Sequence, residues 1–307
     1  MKSYHTPVLL QASIKGMNIQ QNGVYVDLTF GGGGHSREIL ARLSKNGKLI
    51  VFDTDEDAKN NLPEDNRVIF FQSNYRYFIN FLEYNDLLPV HGILADLGIA
   101  SHHIDVPERG FSYRFDAVLD MRMNKKAETT AAMLINNYSL KKLNEIFDSY
   151  GELGPTGKKI AKAIVEQREH NFINTTFELN AIVEKALNGY LYNKVLSKLY
   201  QALRIEVNQE LTALTEMLAT VPNALALGGR ICIITYHSLE DRIVKKYFKR
   251  GCVTDSMKAI QKKHKLVPVN KKVIVPDLLE VKQNRRARSA KLRIAEKIAD
   301  HTDESLI

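Results

Sequence analysis

Four consecutive glycines at residues 31–34 stand between a short apolar run and a helical stretch. The run at residues 24–28 has the length of a buried strand, and leucine and isoleucine recur at helical spacing from Ser36 to Leu43. Glycine permits a tight turn and lets a ligand approach the backbone closely, and a helix N-terminus offers unpaired N–H groups. This order of strand, glycine loop and helix predicts a nucleotide-binding turn in an α/β fold.

Further apolar runs of strand length lie at residues 49–52, 68–71 and 92–97. Such runs, separated by helical patterns, predict βαβ units and a parallel sheet buried on both faces. Residues 127–218 show only helical periodicity, and residues 230–236 are again strand-like. We expect a discontinuous sheet domain at 1–110 and 211–307, interrupted by an all-helical insert at 111–210. Residues 271–275 and 289–295 alternate in the manner of edge strands.

The glycine loop differs from the dinucleotide fingerprint G-x-G-x-x-G, because His35 and Ser36 occupy the place of its third glycine. That glycine lets strand and helix pack closely around a pyrophosphate, so its absence counts against NAD or FAD. No lysine follows the glycines, which excludes a P-loop. A nucleoside ligand without phosphates fits best and points to S-adenosylmethionine, whose methyl transfer requires alignment of two reactants and the handling of one proton.

Acidic residues end two of the predicted strands. Asp53 follows the glycine loop by about twenty residues, where a carboxylate can accept both ribose hydroxyls of an adenosine. Asp55 competes for that role, with a helix N-cap as its alternative, and Asp96 has a turn as its alternative, since Asp-x-Gly favours turns. Ligands of open parallel sheets lie outside the carboxyl ends of strands. We therefore expect one site surrounded by Gly33, Gly34, Asp53 and Asp96.

The positive charge of the chain is concentrated near its end. The formal net charge is +8, yet residues 245–293 carry 16 Lys/Arg against three acids, and the remainder carries 27 basic and 32 acidic residues. Contacts with RNA phosphates would explain this density, whereas a solvated charged face is the alternative. The densest group comprises Lys282, Arg285, Arg286, Arg288, Lys291 and Arg293.

Several classes of protein are excluded or disfavoured by composition. Two cysteines, Cys232 and Cys252, exclude a disulfide framework and a Cys-rich zinc site. The first ten residues lack the apolar region of a signal peptide, and no stretch approaches the roughly 20 apolar residues of a membrane helix. Neither cysteine follows a strand as a nucleophile of cytosine C5 methylation should, and the chain lacks the adjacent prolines usual in DNA amino-methyltransferases. We expect a soluble cytoplasmic protein with no metal, no membrane contact and no DNA substrate.

Eight ordered blocks of sequence span nearly the whole chain. They are HTPVLL (5–10), DLTFGGGGHS (27–36), DLGIAS (96–101), ERGFS (108–112), LDMRM (119–123), QALRIEVNQEL (201–211), YHSLEDRIVK (236–245) and RARSAKLR (286–293). In these blocks the chain resembles the bacterial ribosomal RNA small subunit methyltransferase H family, which methylates the N4 amine of a cytosine in the decoding region of 16S rRNA. The resemblance implies a class I (Rossmann-like) methyltransferase sheet with a helical insert for substrate recognition. It also implies S-adenosylmethionine as cofactor and 16S rRNA, or the assembling small ribosomal subunit, as partner.

The same resemblance implies which residues contact the cofactor. They are Gly33, Gly34, His35, Asp53, Phe78, Asp96 and His103. His102 and His103 replace the Pro-Gln usual in the family, and KVLSKLY at 194–200 replaces an HPATRTF-like stretch. These departures leave open a paralogue that acts on another RNA site.

The group that accepts the amine proton is not identified by the sequence. Tyr236 and His237 follow the returning strand and are candidates, as is Arg122 before the insert. The alternatives are a capping box of Ser238 with Asp241 and a salt bridge of Arg122 at a helix start. A NAD-dependent oxidoreductase and a non-catalytic RNA-binding module remain rival functions, and a homo-oligomer is compatible with the sequence.

Overall fold

The computed structural model describes residues 7–99, 106–188, 192–251 and 264–300, which contain a seven-stranded sheet. Its strands are β1 (Val24–Asp27), β2 (Lys48–Asp53), β3 (Val68–Gln72), β4 (Val90–Asp96), β5 (Leu225–Thr235), β6 (His264–Pro268) and β7 (Lys291–Asp300). The strand order is β3-β2-β1-β4-β5-β7-β6. β1 to β5 are parallel, and β7 is antiparallel to both of its neighbours. The predicted class I methyltransferase sheet is confirmed.

The sheet is buried on both faces, as its apolar runs predict. In β2 the side chains of Ile50 and Phe52 join one core cluster, and those of Leu49 and Val51 join the cluster on the other face. All four are fully buried. Successive side chains of a strand point to opposite faces, so a continuous apolar run is needed where both faces are covered. Asp53 ends this run and lies at the carboxyl edge of the sheet.

The α-helices of the described residues alternate with the strands up to β4, follow one another between β4 and β5, and lie between strands again after β5. In chain order they are α1 (Leu10–Met17), α2 (Gly34–Leu40), α3 (Phe78–Tyr84), α4 (Ala131–Asn137), α5 (Leu140–Ser149), α6 (Gly154–Arg168), α7 (Thr176–Leu187), α8 (Tyr192–Asn208), α9 (Glu210–Ala224), α10 (Ser238–Arg250) and α11 (Leu278–Gln283). Between α8 and α9 the backbone of Gln209 has a φ of 51°, in the left-handed region, which ends the helical run. No helix of the part of the chain described above is long and apolar enough to cross a membrane.

Two compact units divide the chain, one of Met1–Gly98 with Leu211–Ile307 and one of Ile99–Glu210. The second unit has its own core, which includes Phe111, Leu143, Phe147 and Leu203. The expected junction lay at residue 110. Residues 106–110 belong instead to the helical unit, because Arg109 is buried there and donates hydrogen bonds to the carbonyls at 122 and 123.

The prediction of edge strands is wrong for both segments, since one forms an interior strand and the other forms none. β7 covers most of the 289–295 segment, and β5 and β6 flank it on either side. Residues 271–275 form no strand; Ile274 makes only an isolated bridge to Leu292. On the side of β7 away from β5, the backbone of residues 264–268 forms the hydrogen bonds of the sheet, so β6 is the edge strand there.

Candidate functional site

The glycine loop joins β1 to α2. Gly31 and Gly33 have φ values of 50° and 71°, a region that favours glycine, and Gly33 is the N-cap of α2. A Cβ on Gly34 would lie 2.1 Å from Cγ of Pro7, so glycine is required there for packing. A Cβ on Gly31 would meet only the Thr29 carbonyl oxygen, at 3.9 Å. The loop is therefore packed against the protein at Gly34 and faces open space at Gly31.

Asp53 binds the loop from the end of β2. Its Oδ2 accepts a hydrogen bond of 2.8 Å from the Gly31 N–H, and its Oδ1 accepts one of 2.8 Å from the Asp55 N–H. Asp55 is the N-cap of the 3-10 helix Glu56–Asn61 and accepts a hydrogen bond from the Asp57 N–H at 3.1 Å. Of the two competing acids, Asp55 caps a helix and Asp53 lies at the glycine loop.

Asp96, at the end of β4, meets residues from three other parts of the chain. Its Oδ1 accepts a hydrogen bond of 2.8 Å from the Tyr236 hydroxyl. Its N–H donates to Thr29 Oγ1 at 2.7 Å, and its Oδ2 lies 3.8 Å from Nδ1 of His35. The carboxyl end of β4, the segment after β5 and the first turn of α2 thus converge on one carboxyl group.

The surroundings of Asp96 favour its neutral form. Burial raises the pKa of Asp96 to about 7, and the charges of Asp27 and Glu240 act in the same direction. The hydrogen bond from Tyr236 opposes this rise. Burial and the nearby Asp96 raise the pKa of the Tyr236 hydroxyl well above its ordinary value. Near neutral pH the carboxyl group is therefore poised between its two forms, while the hydroxyl keeps its proton.

His35 is buried and neutral near pH 7, because burial lowers its pKa to about 4. Its Nε2 lies 3.1 Å from the carbonyl oxygen of Val8, which can only accept a hydrogen bond. The proton is therefore on Nε2, and Nδ1 faces Asp96. Through this bond the chain segment before α1 is attached to the glycine loop.

Asp27 is a member of the site that the sequence analysis did not single out. It is 1% exposed, and burial raises its pKa to about 6. Ser36 Oγ donates a hydrogen bond of 2.6 Å to its Oδ2, and the Thr29 N–H donates one of 3.1 Å to its Oδ1. Asp27 thereby attaches α2 to β1 on both sides of the loop. An acid inside an otherwise apolar strand run was the signal that could have identified it.

The capping box after β5 lies one residue earlier than predicted. His237, and not Ser238, is the N-cap of α10. Glu240 Oε2 accepts hydrogen bonds from the N–H groups of Tyr236 at 2.9 Å and His237 at 3.3 Å. The box of Ser238 with Asp241 is therefore wrong, because Glu240 reaches back to the strand end while Asp241 is engaged elsewhere.

Asp241 forms salt bridges with two of the basic residues that were expected to contact RNA. Its carboxylate lies 3.2 Å from Lys291 Nζ and 2.8 Å from Arg293 Nε, both on β7. Burial acts to raise the pKa of Asp241, but these two partners outweigh it and hold the pKa below its ordinary value. Lys291 and Arg293 thus connect α10 to β7.

The other predicted residues have varied surroundings. Lys282, Arg285 and Arg288 are exposed, and Arg286 is half-buried. The side chain of Phe78 is fully buried in the sheet core, which leaves only its main chain for a ligand. His103 lies outside the described residues.

Arg122 belongs to the helical unit, where both ends of its guanidinium are engaged. Its Nε and Nη2 donate to Asp120 at 2.6 and 2.8 Å, and its Nη1 donates to the Ala127 carbonyl at 2.5 Å. The Asp120 carbonyl in turn accepts a hydrogen bond from the Ala131 N–H at the start of α4. This is the salt bridge near a helix start that was the alternative interpretation of Arg122.

The residues of the sheet edge suit S-adenosylmethionine. Asp27, Asp53 and Asp96 end β1, β2 and β4 side by side, and acids so placed repel a phosphate and attract a cation. Asp53 can still accept further hydrogen bonds, since a carboxylate has about four lone-pair sites. These carboxyl groups therefore match a nucleoside that carries a positively charged sulfonium better than they match a dinucleotide.

Comparison with known proteins agrees with this geometry. The model of the MraW methylase family matches residues 2–298. The chain is 53% identical over 300 residues to ribosomal RNA small subunit methyltransferase H of Bacteroides thetaiotaomicron, with 96% of this chain and 98% of the relative covered. A protein of the same name from Flavobacterium johnsoniae is 49% identical over 297 residues, with the same coverage. An rRNA methylase of Streptococcus thermophilus has a TM-score of 0.38 and 12% identity over 94% of each chain, which is too distant to carry an argument. The full-length matches confirm the resemblance found in the sequence, and the chain belongs to the MraW methylase family.

Proposed function

We propose that this chain transfers a methyl group from S-adenosylmethionine to the N4 amine of a cytosine in the decoding region of 16S rRNA. The observation that carries the proposal is the bond between Asp53 and Gly31, which sets a carboxylate at the mouth of the glycine loop. The relatives named above as ribosomal RNA small subunit methyltransferases cover almost the whole chain. Such an enzyme works in the cytoplasm, where small ribosomal subunits are assembled.

Binding of the cofactor uses the carboxyl edge of the sheet. Asp53 accepts the ribose hydroxyls, and Gly33, Gly34 and His35 present the first turn of α2 to the ligand. The main chain at Phe78 and the side chain of His103 complete the proposed set. When bound, S-adenosylmethionine supplies an electrophilic methyl group on a sulfonium. The buried acids Asp27 and Asp96 offset that positive charge.

Asp96 is the residue that receives the amine proton in this proposal. The cytosine amine is a weak nucleophile, and a carboxylate that accepts its N–H increases the electron density at nitrogen as the methyl group is transferred. A pKa of about 7 suits a proton acceptor near neutral pH. Tyr236 acts as a positioning residue, because its hydroxyl holds the carboxyl group. His237 and Arg122, the other catalytic candidates, are assigned to the helix cap and to the loop after β4.

RNA is held by exposed and half-buried basic residues of the segment 282–288. Lys282, Arg285, Arg286 and Arg288 contact phosphates, whereas Lys291 and Arg293 act mainly through Asp241. The helical insert, expected at 111–210, recognises further parts of the small subunit.

The test is methylation of small ribosomal subunits from cells that lack this enzyme. Purified full-length protein is incubated with these subunits and methyl-labelled S-adenosylmethionine, and the rRNA is digested for mass spectrometry. We expect N4-methylcytidine at one decoding-region position. Label at a different RNA position would identify a paralogue with another target, and label in protein or DNA would refute the proposal.

A thermal-shift experiment separates the rival cofactor classes. Only a ligand that binds the native state raises the melting temperature. We expect stabilisation by S-adenosylhomocysteine and none by NADH. Stabilisation by NADH alone would favour the oxidoreductase.

A further inference from the structure

Large apolar side chains are exposed on and just before the short helix α11. Leu278 is 91% exposed, Leu279 is 63% exposed and Val275 is 56% exposed. A single exposed leucine is ordinary on a protein surface. Three such side chains within residues 275–279 form a patch, and exposed apolar patches rimmed by polar residues mark interaction sites.

The patch lies within a basic segment. Residues 271–288 contain six Lys/Arg and two acids. Both acids have hydrogen-bond partners within the protein: the exposed Asp277 caps α11 by accepting the Glu280 N–H at 2.8 Å, and the half-buried Glu280 accepts the Leu9 N–H at its Oε1 at 2.6 Å. The exposed basic residues are Lys271, Lys272, Lys282, Arg285 and Arg288. An apolar patch with this border suits a polyanion that also offers flat apolar surfaces, and a base stack on a phosphate backbone is such a partner.

Two hydrogen bonds connect α11 to His35, which lies beside Asp96. Glu280 binds the N–H of Leu9, and the carbonyl of the preceding residue, Val8, binds His35. His35 Nδ1 lies 3.8 Å from Asp96. The charge of Glu280 also contributes, after burial and closer groups, to the raised pKa of Tyr236. Because a helix rises about 1.5 Å per residue, the two leucines lie within one turn of the residue that anchors α11 to the site.

We propose that Leu278 and Leu279 form an apolar wedge, which enters the RNA base stack beside the target cytosine and fills the space that this base leaves. The inference rests on the proposed function. A stacked base must be extruded before an enzyme can act on its amine, and leucine is among the side chains that proteins insert between base steps. The basic residues around the wedge neutralise phosphates and allow its approach.

An anionic membrane and a second copy of this chain are the other partners that such a surface could meet. The connection through Glu280, Leu9 and His35 favours RNA. The substrate is the partner that has to reach the patch and the methyl-transfer site at the same time.

The test compares full-length variants on small ribosomal subunits that lack the methyl group. Leu278→Ala/Leu279→Ala removes the wedge, and Leu278→Met/Leu279→Met keeps its apolar bulk. Leu227→Ala is the matched control, because Leu227 is 64% exposed on β5, far along the strand from its carboxyl end. Since the wedge offsets part of the cost of unstacking the base, we expect the double alanine variant to lose about tenfold or more in kcat. Subunit affinity should change by less than about threefold, with both the methionine variant and Leu227→Ala close to wild type.

Other outcomes overturn the wedge in distinguishable ways. An unchanged kcat refutes it, and a loss of affinity with unchanged kcat makes the patch a docking surface. If wild type binds vesicles of anionic phospholipid and the alanine variant does not, while methylation is equal, the partner is a membrane. If the variant changes the oligomeric state and not the rate, the partner is a second copy. A wild type that leaves 16S rRNA unmethylated refutes the proposed function itself, before any variant is compared.

Discussion

The hydroxyl of Tyr236 donates a hydrogen bond of 2.8 Å to Oδ1 of Asp96 and joins the chain just after β5 to the end of β4. The two strands are neighbours and parallel, so their carboxyl ends meet. The donor keeps its proton because burial and Asp96 raise the pKa of Tyr236. The bond therefore stabilises the ionised form of Asp96 and opposes the burial that favours the neutral form.

Tyr236→Phe should shift the pH dependence of methyl transfer. Loss of the bond removes stabilisation of the carboxylate, so the pKa of Asp96 rises above about 7. A hydrogen bond to a charged group contributes about 1.5–3 kcal/mol, so the midpoint of kcat against pH should move upward by about one to two pH units. The rate at pH 7 falls several-fold, the rate at high pH is restored, and KM for the cofactor stays the same. Tyr84→Phe, at a site 90% exposed, is the control; an unmoved midpoint would leave Tyr236 without a positioning role.

Asp96→Asn should make the protein more stable at pH 8 and less active. The folded pKa of Asp96 is raised, so its contribution to stability is complete below about pH 4 and is lost as pH rises towards about 7. Asparagine is uncharged and avoids this loss, which is of the order of a few kcal/mol. Thermal unfolding of both proteins at pH 5 and pH 8 checks the sign. A difference in stability that does not grow with pH contradicts the assignment.

Asp53→Ala should weaken the binding of S-adenosylhomocysteine at least tenfold, because two hydrogen bonds to a charged group are removed. Isothermal titration calorimetry measures this directly. Asp148→Ala, at an exposed position of α5, should bind as wild type does. If Asp53→Ala bound S-adenosylhomocysteine as tightly as wild type does, Asp53 would have only a structural role, the hydrogen bond to Gly31.

Two pairs of basic residues should respond differently to alanine. Arg285→Ala/Arg288→Ala removes exposed charges and should lower the slope of log affinity against log salt by about 0.7–0.9 for each phosphate that the protein no longer neutralises. Lys291→Ala/Arg293→Ala leaves the Asp241 carboxylate without these partners, so it should mainly reduce the free energy of unfolding. Filter binding at several salt concentrations and chemical denaturation separate the two effects. If Arg285→Ala/Arg288→Ala had the same salt slope as wild type, these two residues would be solvated charges that do not contact RNA phosphates.

The strands, and the acids that end them, could be predicted because a strand buried on both faces has to be a continuous apolar run. The run from Leu49 to Phe52 has to be apolar throughout, and the first acid after it has to lie at the sheet edge. The pairing of Asp241 with Arg293 could not be predicted from a local pattern. The two residues are 52 positions apart, and only the antiparallel placement of β7 brings them together. The position of the cap at His237 depends on whether Glu240 or Asp241 accepts the N–H groups at the start of α10, and their spacing in the sequence does not decide between them.

β7, the last strand of the described residues, is not at the edge of the sheet but lies between β5 and β6. During synthesis β5 therefore retains an open edge until about residue 300 has left the ribosome exit tunnel. Lys291 and Arg293, which brace α10 just beyond Tyr236, arrive only then. Asp241, in the first turn of α10, therefore gains its partner Arg293 only after 52 further residues have been synthesised.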